Sequence, residues 1–139
     1  MIKGLTNEQL RTFLDKAGYA HKVIENGSFL MSLDADKDFG YDVGIAFSMQ
    51  GENKNTLNVM GWAIKFPVND ENKASLVFLC NKWNKSYRLP KSYVDLDDNT
   101  VTVECDFFLD EPVSEEYILE NCIKLPVIMI WKFFKSLVK

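Results

Sequence analysis

The residues best suited to chemistry in this chain are few, and most have local structural duties. Asp34, Asp36 and Asp38 precede Gly40 in a run that resembles the opening of a calcium loop. The glycine stands one place late and the twelfth position is Ile45, where calcium loops carry a bidentate glutamate. Asp95, Asp97, Asp98 and Asp106 form a second acidic group, in and beside a hairpin turn where aspartate is favoured for local reasons. His21 is the only histidine, and it sits in no nucleophile motif. Cys80, Cys105 and Cys122 show no metal-ligand spacing. The seven glycines are scattered and make no phosphate loop. No catalytic residue, metal ligand or cofactor is expected from these patterns.

Bulk properties narrow the classes further. The chain has 139 residues, 47% of them hydrophobic and 13% aromatic, and a net charge of −4. That length and composition suit one folded domain over residues 1–139, not a disordered segment. An acidic balance argues against nucleic acid as a partner, because affinity for phosphates comes from lysine and arginine. Three cysteines, each at an apolar position of its local pattern, read as buried thiols in a reducing cytoplasm. The most apolar window, Ile118 to Val138, contains Glu120, Lys124, Lys132 and Lys135, too much charge for a membrane span.

The periodicity gives the elements. Thr6 and Gln9 have capping-box spacing, and Leu10, Phe13, Leu14 and Ala17 make one helical stripe ending at Gly18. A short strand, Tyr19 to Glu25, is followed by an Asn26-Gly27 hairpin signal and a strand over Ser28–Leu33. Strands over Tyr41–Met49 and Thr56–Phe66 alternate on both sides of a polar loop. A second helix begins near Asn69 or Asp70, with Leu76, Leu79, Cys80 and Trp83 as its stripe. A strand over Ser86–Leu96 contains Pro90, which predicts an edge or bulged position. Thr100–Leu109 is the cleanest strand, and a last helix starts at Ser114, with Pro126 expected to kink or split it. The order α-β-β-β-β-α-β-β-α predicts an α+β fold: an antiparallel sheet of about five to six strands with three helices on one face.

Alternation also divides the expected sheet faces. Phe29, Met31, Val43, Ile45, Phe47, Met60, Trp62, Ile64, Val101, Val103, Cys105 and Phe107 are expected to meet the helices. The opposite face then shows Leu30, Ala46, Leu57, Val59, Gly61, Ala63 and Phe108. Its small residues would let another backbone approach closely, so Leu30, Ala46, Leu57, Val59, Ala63 and Phe108 are the candidate partner-binding residues. The aromatics Trp62, Trp83 and Phe107 are an alternative, as the lining of a small-ligand pocket between helices and sheet.

Asn81, Trp83 and Asn84 stand at the end of the second helix, where amides can cap carbonyls or bridge to the next strand. With Tyr93 and Asp95 before the acidic turn, Glu104 and Asp106 on the next strand, and Ser114 opening the last helix, they resemble the YbjN-type family of bacterial sensory-transduction regulators. That family is similar in fold to type III secretion chaperones. The resemblance implies an α+β fold, frequent dimers, no established catalytic residues, and protein binding or regulation instead of chemistry. The expected function is a non-enzymatic, chaperone-like or regulatory interaction module with a protein partner or a second copy of itself. The Asn81, Trp83, Asn84, Tyr93 and Asp95 positions are expected to be structural.

Overall fold

The computed structural model describes residues 1–138. Helix α1 (Asn7–Lys16) opens on the expected capping box. Thr6 Oγ1 accepts from the Gln9 N–H at 3.1 Å, and Gln9 Oε1 accepts from the Thr6 N–H at 2.9 Å. Two of the four donors left open at a helix start are thereby satisfied. Strands β1 (Lys22–Val23), β2 (Phe29–Leu33), β3 (Val43–Gln50) and β4 (Thr56–Ala63) follow as an antiparallel meander. Helix α2 (Lys73–Ser86) leads to β5 (Lys91–Asp95) and β6 (Thr100–Phe108).

All six strands form one antiparallel sheet in the order β1-β2-β3-β4-β6-β5. The β4–α2–β5 connection therefore passes over the sheet and leaves room for β6 between its two strands, a split crossover. Pro90 lies just before β5, and β5 is an edge strand, as a proline at that place requires.

The last helix has three segments: α3 (Glu115–Tyr117), a π-helical stretch Ile118–Lys124, and α4 (Leu125–Ser136). Ser114 Oγ caps its start by accepting from the Tyr117 N–H at 3.1 Å. Pro126 neither ends nor splits the helix. The N–H of Leu125 already reaches back five residues to the Glu120 carbonyl, so the wider π turn makes room for a ring that has no N–H to give.

One face of the sheet carries the core. Cross-strand pairs share a face, and the pairs Phe29↔Phe47, Met31↔Ile45, Val43↔Ala63, Phe47↔Val59 and Gly61↔Val103 place these residues together under the helices. They join Leu10, Phe13 and Leu14 of α1, Leu76, Cys80 and Trp83 of α2, and Ile130, Phe133 and Phe134 of α4 in one buried cluster. Gly61 lets α4 come down closely: a Cβ there would lie 2.9 Å from Ile130 Cγ2.

The sequence reading assigned β4 the wrong way round. Leu57, Val59 and Ala63, expected on the open face, are 0%, 0% and 4% exposed and belong to the core. Met60 and Trp62 take the open face instead. The missing side chain at Gly61 does admit a close neighbour, but that neighbour is the Ile130 side chain of the chain's own α4. Leu57, Val59 and Ala63 are therefore unavailable to a partner while the fold is intact.

Phe39, in the otherwise polar loop between β2 and β3, is fully buried. Its ring meets those of Tyr41, Phe66, Trp131 and Phe134 at centroid distances of 5.6 to 6.0 Å. It pins the β2–β3 loop to the last helix through edge and offset aromatic contacts.

Candidate functional site

The open face of the sheet can be built row by row from the strand register. One row runs Leu30, Ala46, Met60, Glu104, Lys91 across β2, β3, β4, β6 and β5. The next runs Ser32, Gly44, Trp62, Thr102, Tyr93. On the β2–β4 side the face is apolar, with Leu30, Ala46, Met60 and Trp62 half-buried and side by side. On the β6–β5 side it is polar. Phe108 closes the face at the far end of β6, paired with Thr56 and 74% exposed.

Trp62 keeps its place because Gly44 stands opposite it. A Cβ at Gly44 would lie 2.8 Å from Trp62 Cζ2, so only a residue without a side chain lets the indole cover this ladder position.

The polar side is a hydrogen-bond network centred on Glu104. Its carboxylate accepts from the Tyr93 hydroxyl at 3.1 Å and from Asn58 Nδ2 at 3.2 Å, and Lys91 Nζ lies 3.3 Å away. Asn58 Nδ2 also donates to Asp106 at 2.8 Å. Burial pushes the Glu104 carboxyl up, but the bonds from Asn58 and Tyr93 and the charge of Lys91 together outweigh it and hold the group below its ordinary value. The Tyr93 hydroxyl is pushed up to about 12 by burial, by its bond to Glu104 and by the surrounding carboxylates. At neutral pH Glu104 is therefore ionised and the Tyr93 phenol neutral.

The residues of the Asn-x-Trp-Asn motif lie behind this face and tie α2 to β5. Trp83 Nε1 donates to the Pro90 carbonyl at 2.9 Å in a buried position. Asn84 bonds Ser92 in both directions: its Nδ2 donates to the Ser92 carbonyl at 3.0 Å and its Oδ1 accepts from the Ser92 N–H at 2.9 Å. Ser92 Oγ completes the clamp by donating to the Cys80 carbonyl at 3.0 Å. Asn81 is exposed and takes no part in the clamp. Asp95 belongs to the β5–β6 turn, where its Oδ1 accepts from the Asp97 N–H at 3.0 Å.

The remaining chemical candidates are occupied locally. Asp36 Oδ1 accepts from the N–H groups of Asp38 and Phe39, both at 2.8 Å, and so shapes the loop that carries Phe39. Asp98 accepts from the Thr100 hydroxyl at 2.6 Å. His21 Nδ1 donates to the Tyr19 carbonyl at 2.9 Å, and its ring meets Phe29 edge-on at 5.5 Å. Burial pushes the thiols of Cys105 and Cys122 up to about 12 and raises that of Cys80, the reverse of what a nucleophile needs. Trp62, Trp83 and Phe107 do not converge on one pocket. Trp62 faces outward from β4, Trp83 lies under α2, and Phe107 pairs with Leu57 on the helix side.

Two concavities lie elsewhere. A polar cleft of about 510 Å³ sits between the start of α1 and the β3–β4 loop, with Lys3, Asn26, Lys54 and Asn55 in its walls. A groove of about 850 Å³ runs between α2 and α4, beside Trp83 and Tyr87. Sequence patterning missed this groove because its residues come from three separate segments, around Lys37, from Leu79 to Tyr87 and from Lys132 to Val138. Among the described residues, no helix is long and apolar enough to cross a membrane.

Comparison with known proteins agrees with this architecture. No curated protein matches the chain. The crystal structure of YbjN from E. coli, described as "a putative transcription regulator", superposes with a TM-score of 0.73 over 95% of this chain and 90% of that one, at 17% identity. At that identity the likeness is one of fold. An uncharacterized protein from Methanothermobacter thermautotrophicus has a TM-score of 0.42 at 14% identity over 96% of this chain and 99% of its own. The family profile for YbjN, "Putative bacterial sensory transduction regulator", matches residues 6–122, which include the α2–β5 clamp, the sheet and the start of the last helix. The chain belongs to the YbjN family.

Proposed function

We propose that the protein is a non-enzymatic, cytoplasmic regulatory module that works by binding another protein chain on the open face of its sheet, in the manner of a chaperone or as a homodimer. The observation that carries this reading is the patch of Leu30, Ala46, Met60 and Trp62, side by side on a sheet face that the helices leave uncovered. Single apolar residues on a surface are ordinary, but a contiguous patch bordered by polar groups is the pattern of an interaction site. Glu104, Asn58 and Tyr93 supply that border. The family description, as a regulator of sensory transduction, supports the same class of role.

Sedimentation of the purified protein beside a Leu30→Glu/Met60→Glu variant tests the homodimer form, and co-purification from native bacterial lysate tests the form with another partner. The proposal expects an associated wild type, alone or with a second protein, and a folded variant that has lost the association. A wild type that is monomeric and bare in both settings, or a folded variant that associates equally well, would overturn it.

A further inference from the structure

The groove between α2 and α4 has a character of its own. Its walls carry Lys37, Lys82, Lys132 and Lys135, and its floor carries Trp83 and Tyr87. These four lysines are a quarter of the chain's sixteen basic residues, gathered in one groove of a protein whose net charge is −4. Among the described residues, no carboxylate lies within 4.0 Å of any of the four ammonium groups, whereas Lys73, Lys91 and Lys124 each have one. Asp38 is the one acidic residue in the groove wall. Lys132 and Lys135 lie over aromatic rings, of Tyr87 and Trp131, but no carboxylate balances the charge of the four, and like charges gathered in one groove repel one another.

The floor is ordered. Tyr87 stacks on Trp83 with ring centroids 4.0 Å apart and planes 24° from parallel. Lys132 Nζ lies 4.7 Å from the Tyr87 ring centroid, in cation–π range. Leu79 adds apolar surface from α2. On α4, Ile128 is 61% exposed and stands one turn before Lys132 on the same stripe, so the apolar surface continues along the helix past the lysines.

The geometry points to this groove as the docking site for an acidic amphipathic segment of a partner protein, bound as a helix with its apolar side on Leu79, Tyr87 and Ile128, over the buried Trp83, and its carboxylates on the lysines. The charge complementarity selects an anionic occupant, and the apolar floor selects one with apolar side chains beside its charges. A bare polyanion such as nucleic acid would leave that floor unused. The twelve-residue α4 spans about 18 Å, which accommodates about three turns of a docked helix. This surface is distinct from the open sheet face, so either docking site can fail without the other.

The probe is a fluorescein-labelled synthetic peptide whose leucines follow a helical stripe and whose other face is glutamate. The controls are the same peptide with lysine in place of glutamate, and vesicles of phosphatidylglycerol. The wild type is expected to bind the acidic peptide and to prefer it over the basic one by at least about tenfold at low salt. Lys82→Glu/Lys132→Glu should lower that affinity by about tenfold or more. Because the Lys132 ammonium sits over the Tyr87 ring, Lys82→Glu/Lys135→Glu is the companion variant and should show the same loss. Amide shifts on titration should centre on Lys82, Ser86, Lys132 and Ser136. Absence of binding, equal binding of the two peptides, unchanged affinity in both folded variants, shifts centred on the open sheet face, or binding of the vesicles without the peptide would each overturn the assignment.

Discussion

Trp62 and Gly44 stand opposite each other across the β3–β4 ladder, and the indole occupies the space that a Gly44 side chain would need. This pairing shapes the centre of the open face. Gly44→Ala would place a methyl group 2.8 Å from the indole and force the ring to move. The expected cost is about 1–3 kcal/mol in urea unfolding. Trp62→Leu should relieve part of it, so the double variant should be more stable than the sum of the two single changes predicts.

The two faces of the sheet should respond differently to charge. Val59 is fully buried, and Val59→Asp would place a carboxylate in the core; the expected outcome is a loss above about 4 kcal/mol or no folded protein at all. Phe108 on the open face is 74% exposed, and Phe108→Asp should stay within about 0.5 kcal/mol of wild type. Thermal unfolding followed by circular dichroism distinguishes the two.

The clamp between α2 and β5 is expected to matter for stability. Asn84→Ala removes both bonds to the Ser92 backbone and leaves its N–H without a partner at a residue only 5% exposed. The expected loss is about 2–3 kcal/mol in urea unfolding. Asn81→Ala should change little, since Asn81 is exposed and stands outside the clamp. Equal losses at the two positions would contradict the assignment of the motif.

The Glu104 network predicts a pH dependence at each end of the scale. Glu104 is held below its ordinary value of 4.5, so its contribution is present above that pH and is lost as pH falls through the lower folded value. The Tm difference between wild type and Glu104→Gln should therefore be widest above pH 4.5 and shrink in acid. Tyr93 is raised from 10.0 to about 12, so its contribution is full below pH 10.0 and is lost as pH rises through about 12. Tyr19 is raised as well, by burial and by the nearby Glu120, so phenolate absorbance should show late-titrating tyrosines, one of which disappears in Tyr93→Phe.

Cys105 and Cys122 are raised from 9.0 to about 12, and Cys122 has no exposed surface. Both should resist iodoacetamide at pH 8 in the native protein and react fully in denaturant, because the thiolate is the reacting form. Mass spectrometry of the alkylated protein reads this directly.

Much of the fold was legible in the sequence because local signals agreed with one another. The Thr6–Gln9 capping box, the Asn26-Gly27 turn, the alternation from Thr100 to Phe108 and the Ser114 cap each have a short-range cause. The error on β4 came from a strand that is apolar on both sides. Met60, Trp62 and Ile64 are bulkier than Leu57, Val59, Gly61 and Ala63, so size pointed to the wrong face. Pairing with β3 and the close descent of α4 onto Gly61 decide the question, and both are long-range facts. Phe39 was missed for the same reason, since three of its four aromatic neighbours, Phe66, Trp131 and Phe134, lie far from it in sequence. Of the six candidate partner-binding residues, Leu30, Ala46 and Phe108 do lie on the open face, because their strands were assigned the right way round.

The central claim is that another protein chain binds on the open face. Site-specific photo-crosslinking in living bacteria tests it most directly, with benzoylphenylalanine placed at Phe108 or Leu30 on that face, and at Val77 on the exposed side of α2 as the control. The account predicts a discrete protein adduct, either a second copy of this chain or another protein, from Phe108 and Leu30 and not from Val77. Adducts from Val77 alone, or none from either sheet position at normal expression, would contradict it.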